Sequence, residues 1–154
     1  MVDDRTVAFA QAARGFCGVV DTSPLDTRAT LTALLRLLVT AQDLPDTRPT
    51  FDDTSTTHAG ITADTVRVAT NVHDSLGSAE RYRVVFDPHS DEEPCAGSLA
   101  DDLGDIYRDV RRGLDLFDRE APADAAWEWR FAYETHWGAH ATDAVRVLHR
   151  LVHG

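Results

Sequence analysis

The stretch from Leu99 to Phe117 constrains the fold more than any other. Leu99, Leu103, Ile106, Val110, Leu114 and Phe117 recur three or four residues apart, the spacing that places side chains on one face of an α-helix. A stripe of that length must be buried against other helices. The spacing predicts a helix from about Ser98 to Phe117, with the Ser98 hydroxyl as its N-cap. The same period returns four more times. Phe9, Ala13, Phe16, Cys17 and Val20 mark a first helix, about Asp4 to Val20, and Leu31, Leu34, Leu35 and Leu38 a second, about Leu25 to Gln42. Val68, Ala69, Val72 and Leu76 mark a third, about Thr62 to Leu76. Trp127, Phe131, Gly138, Ala141, Val145, Leu148 and Val152 mark the last, from Pro122, well suited to a first helical turn, to about Val152. The expectation is an all-α fold, a single-domain bundle of about five helices over residues 1–154.

The remaining stretches are connections. Residues 43–60 are rich in Pro, Thr and Asp without a period and read as a long, flexible surface loop. Tyr82 to Phe86 has the β-branched and aromatic composition of a strand. A solitary strand has nothing to pair with, so this run reads as helical or extended packing. Asp87-Pro88 opens an acidic loop that leads to Gly97.

Charge and composition remove several function classes. A formal net charge of −11 argues against a nucleic-acid partner, since phosphate backbones are bound by basic surfaces. No run approaches the roughly 18 apolar residues of a membrane span, and the start MVDDRTVAFA lacks the basic and apolar regions of a secretion signal. A cytoplasmic location is expected, with Cys17 and Cys95 reduced. Cys17 sits on the first apolar stripe and reads as packing; Cys95 falls in a loop. There is no glycine-rich phosphate loop and no serine in a nucleophile-elbow context. All 15 basic residues counted as Lys or Arg are arginine.

The candidate chemistry lies in the last two helices. Asp102, Asp105 and Asp109 line one border of the Leu99 stripe, where like charges repel unless a cation sits among them. Arg108, Arg112, Arg130 or a bound divalent metal would serve. Arg130 and Glu134 fall on or beside the apolar stripe of the last helix, four apart, as a buried ion pair would. A second edge carries Trp129, Tyr133, His136 and His140. The two histidines are also four apart, so both imidazoles can turn to one side, as two metal ligands on a helix do.

The runs YRVVFDP, LADDLGDIYRDVRRGL and AWEWRFAYETHWGAHATDAVRVLH resemble an uncharacterised bacterial family, catalogued as a domain of unknown function. The likeness rests on Tyr82 with Val85 to Pro88, then Asp101 to Leu103, Asp105, Ile106, Asp109, Gly113 and Leu114, and finally Trp127, Trp129, Phe131, Trp137 and Gly138. It covers the C-terminal half. It implies a small all-helical bundle and no particular activity, and the histidines fall outside its pattern.

Three readings follow. In the first, Asp102, Asp105, Arg108, Asp109, Trp127, Arg130 and Glu134 form a buried polar network in a non-catalytic module that binds a small molecule or a protein, a second copy of the chain included. In the second, Asp102, Asp105, Asp109 and Glu134 hold a hard cation for hydrolysis of a phosphate ester or nucleotide, with Arg108 or Arg130 on the phosphate. The Asp102/Asp105 spacing is similar to an acidic pair of the all-helical nucleotide pyrophosphohydrolases. In the third, His136, His140 and a third ligand such as His58 or His73 hold a transition metal, an arrangement that resembles the bundle metalloenzymes of the DinB type.

Overall fold

The computed structural model describes residues 1–50 and 59–154. Its helices are α1 (Asp4–Val20), α2 (Thr27–Gln42), α3 (Ala59–Leu76), α4 (Leu99–Asp118), α5 (Pro122–Ala132) and α6 (Gly138–His153). A π-helical turn, Tyr133–Trp137, joins α5 to α6 without a break, so the described residues build five α-helical rods. The bundle expected from the apolar periods is the fold observed. Local chemistry explains where the helices begin: Asp3 accepts from the Arg5 amide at 2.8 Å, Asp26 from the Ala29 amide at 2.9 Å and Ser98 from the Asp101 amide at 3.2 Å. Each satisfies an amide that the first turn leaves without a helical partner.

α4 is the central rod and packs against α1, α3, α5 and α6. Its stripe is buried from Leu99 through Leu114, with Phe117 half-buried. Phe9 of α1 lies 4.7 Å from the ring of Trp129 and 6.0 Å from that of Trp137, and all three are fully buried. Trp129 reaches this position because α4 has no side chain at Gly113. A Cβ there would stand 2.0 Å from the indole nitrogen, which donates to the Val110 carbonyl at 2.9 Å.

The phase of the last rod differs from the expected stripe. Its buried series is Ala125, Trp129 and Ala132, then Trp137, Ala141, Ala144 and Leu148. The step from Ala132 to Trp137 is five residues, where every other step is three or four. That is the extra residue of the π-turn, which rotates everything upstream by one position. Phe131 is therefore half exposed, Trp127 only partly covered, and Arg130 and Glu134 pair at 3.1 Å on the surface, not in the core. Gly138 admits the turn: its amide closes the bond to the Tyr133 carbonyl, and a Cβ there would come within 2.4 Å of that oxygen. In α2 the core takes Leu37, whereas Leu35 is 44% exposed.

Tyr82 does have a strand to pair with. Strand β1 (Arg81–Val84) runs antiparallel to β2 (Cys95–Ser98), with Tyr82 opposite Gly97. The partner lay hidden because CAGS carries none of the β-branched residues that announce a strand. Cys95 thus opens β2, and Gly97 clears the space for the Tyr82 ring, which would stand 2.5 Å from any Cβ at that position. Residues 43–50 are more than surface loop: Leu44 is buried, and Thr50 donates from its amide and hydroxyl to Asp124 at 2.6 and 2.7 Å. His58 lies outside the described residues. No helix among them is long and apolar enough to cross a membrane.

Candidate metal centre

α4 and the last rod run antiparallel, so Asp102 meets His140 and Asp109 meets His136. His140 Nδ1 is 2.8 Å from Asp102 Oδ1, and His136 Nδ1 is 2.6 Å from Asp109 Oδ2. A carboxylate only accepts, so in both pairs the imidazole donates from Nδ1, and in the neutral ring Nε2 is then the nitrogen that carries the free lone pair. The two rings stand 4.8 Å apart in an edge-to-face arrangement. Asp105, one turn from each of its aspartate neighbours, completes the cluster, with Oδ2 3.6 Å from His140 Nε2. One ligand atom from each of Asp105, His136 and His140 lies within 4.8 Å of the other two.

The other carboxylate oxygens are engaged. Asp102 Oδ2 accepts from the Tyr82 hydroxyl, Asp109 Oδ1 lies 3.3 Å from Arg108 Nε, and Asp105 Oδ1 lies 3.0 Å from the same guanidinium. Asp105 Oδ2 is the one carboxylate oxygen of the three that turns to a histidine Nε2. Asp102 and Asp109 are buried and Asp105, His136 and His140 partly so. The cluster is therefore reachable while its supports are packed.

The electrostatics favour a cation. The hydrogen bond to Asp102 raises the His140 pKa above its ordinary value against the effect of partial burial. Burial and acceptance by Asp102 push the Tyr82 hydroxyl well above the usual phenol range, so it stays a donor. Burial, and then the charge of Asp102, raise the Asp143 carboxyl.

The sequence profile of a family described as a domain of unknown function, DUF5063, matches residues 1–154. The chain belongs to the DUF5063 family. Its fold is similar to the crystal structure of protein BF1032 from Bacteroides fragilis, with a TM-score of 0.80 over 99% of this chain and 97% of that one, at 19% identity. No curated protein matches the chain.

Within this DUF5063 chain the candidate residues separate into two groups. Asp102, Asp105, Arg108 and Asp109 gather with His136 and His140. Trp127, Arg130 and Glu134 lie apart, around a small surface hollow with Asp46, Thr47 and Phe131, where the rings of Trp127 and Phe131 stack at 5.1 Å. Glu134 therefore does not join the three aspartates, and the four-carboxylate set does not assemble. Of the cations considered, Arg108 pairs with Asp105 and Asp109, and Arg130 pairs with Glu134. His73 faces Glu80 at 3.5 Å and is absent from the cluster. Asp102 is buried, while its neighbour Asp101 is exposed.

Two residues escaped the sequence. Tyr82 supports Asp102, and Glu80 is a fully buried carboxylate that accepts from Ser98 Oγ at 2.7 Å and pairs with Arg81 at 2.7 Å. A tyrosine in a run packed on an acidic helix was the available signal, since a buried hydroxyl must find a partner.

Proposed function

We propose that this chain is a metal-binding helical-bundle protein in which His136 Nε2, His140 Nε2 and Asp105 Oδ2 hold one divalent transition metal. The observation that carries this reading is the orientation of the two histidines: each has Nδ1 fixed by a buried aspartate and Nε2 left for a ligand. Metal-bound histidines are held in this way, the outer carboxylate setting both tautomer and ring direction. Three ligands about 2.1 Å from an ion at near-tetrahedral angles stand about 3.4 Å apart. The 3.6 Å between His140 Nε2 and Asp105 Oδ2 is close to that, and a ligand atom of His136 lies within 4.8 Å of one on each of the other two.

Two imidazoles and one carboxylate leave coordination positions open, as catalytic zinc and non-haem iron sites do. Such a metal would act as a Lewis acid, or on a bound water, at the exposed side of the cluster. Arg108, holding Asp105 Oδ1, would keep that carboxylate monodentate.

A second reading stands on a different observation. Arg108 and the two histidines already partner Asp102, Asp105 and Asp109, so the cluster is also self-sufficient as a polar network in a binding or interaction module. Titrating chelator-stripped protein with zinc, manganese and nickel by calorimetry separates the two. One site per chain, lost in His136→Ala and His140→Ala, supports the metal centre; no heat and no stabilisation supports the network.

A further inference from the structure

A cleft of about 450 Å³ opens between β1 and the second half of α6, lined among others by Arg81, Tyr82, Arg83, Arg146, Val147 and Arg150. Four of the chain's 15 arginines meet there, on a protein of net charge −11, and no acidic residue lines the cleft. We propose that this cleft binds a phosphate monoester with an apolar or aromatic body.

The charge balance leads to this ligand. Arg81 is neutralised by Glu80. Arg83 and Arg146 are held by main-chain carbonyls instead: Arg83 donates to the Pro94 carbonyl, and Arg146 to the Arg83 carbonyl at 3.0 Å. Among the described residues no carboxylate lies within 4.0 Å of Arg83, Arg146 or Arg150. Three guanidinium charges are thus gathered without a salt bridge, two of them oriented by main-chain carbonyls. Arg146 is near a carboxylate that it stabilises, Asp143, which lies outside the cleft lining. An entering anion relieves this arrangement. A position at a helix C-terminus accounts for Arg150, but Arg83 comes from the strand and Arg146 turns to the strand.

Guanidinium groups recognise planar or tetrahedral oxyanions through paired N–H donors, and a dianion answers three positive charges better than a carboxylate does. The lining by Val147, Leu151 and Tyr82 suits an apolar ester group. Tyr82 both lines the cleft and donates its hydroxyl to Asp102. The cleft stands on its own residues and does not depend on a metal at His136 and His140.

The test uses the full chain, stripped with chelator, and phenyl phosphate as probe, followed by calorimetry in constant salt with benzoate as comparator. One saturable site is expected, with benzoate weaker and affinity falling about tenfold or more in the Arg83→Gln/Arg150→Gln double variant. Both positions are exposed, and an unchanged far-ultraviolet circular dichroism spectrum checks the fold. If that variant misfolds, Arg150→Lys serves, and it is expected to weaken the probe while keeping the charge. Absence of saturable binding overturns the proposal, as does benzoate binding as tightly as phenyl phosphate. So does binding unchanged in the arginine variants, or binding lost in His136→Ala, which would place the phosphate at the histidines.

Discussion

His140 Nδ1 and Asp102 Oδ1 stand 2.8 Å apart across the seam between α4 and α6, and Asp102 carries the Tyr82 hydroxyl on its other oxygen. That chain fixes the His140 ring and its tautomer before any ligand arrives. Asp102→Asn keeps the shape but lets the imidazole turn or change tautomer. Metal affinity is expected to fall about 10- to 100-fold with the helical content unchanged, as read by competition with a chromophoric chelator. Loss of helicity instead would make Asp102 a structural residue.

Protonation gives the pair a pH signature. The His140 pKa is raised in the folded chain, so its stabilising contribution is complete below the unfolded value of about 6.5 and is lost as pH rises through the folded value. Thermal melts of the metal-free protein should therefore decline as pH rises above about 6.5, and His140→Gln should flatten that decline. Metal binding needs the Nε2 lone pair, so affinity should rise over the same interval.

Glu80 has the opposite sign. Burial pushes its carboxyl up, but the donors Ser98 and Ala100 and the charge of Arg81 together hold it below its ordinary value. Its contribution is then present above the unfolded value of about 4.3 and is lost as pH falls through the folded one. Glu80→Gln should lower stability at neutral pH and reduce the steepness of acid unfolding, read from denaturant midpoints at a series of pH values.

Packing at the crossing of α4 and α5 is set by Gly113 and Trp129. Gly113→Ala places a methyl where the indole now lies and breaks the bond to the Val110 carbonyl. A loss of about 2–4 kcal/mol is expected, measured by urea unfolding. Arg130→Ala, at an exposed pair, should cost less than about 1 kcal/mol.

Much of this fold is legible in one sequence because burial follows the helical period. α1 begins and ends at the residues its stripe predicts, and Ser98 and Pro122 mark the starts of α4 and α5. What misleads is a change of period. The π-turn adds one residue between Ala132 and Trp137, so a stripe extrapolated upstream at a constant angle lands on Trp127, Phe131, Arg130 and Glu134 instead of Trp129. The candidate site is only half visible for a related reason. The spacing of Asp102, Asp105 and Asp109 shows a common side, as does that of His136 and His140, but spacing within a helix carries no information on which helix it faces. The pairing of Tyr82 with Gly97, across a loop and onto a strand without strand-forming residues, has no local signal at all.

The most direct test is the metal content of untagged protein purified without chelator, by elemental mass spectrometry, for the natural chain and for Asp105→Ala, His136→Ala, His140→Ala and Glu134→Gln. The metal-centre reading predicts close to one transition-metal ion per chain, absent from the first three variants and retained in Glu134→Gln. Metal-free natural protein that takes up none of the added ions, or metal that survives loss of both histidines, would contradict it.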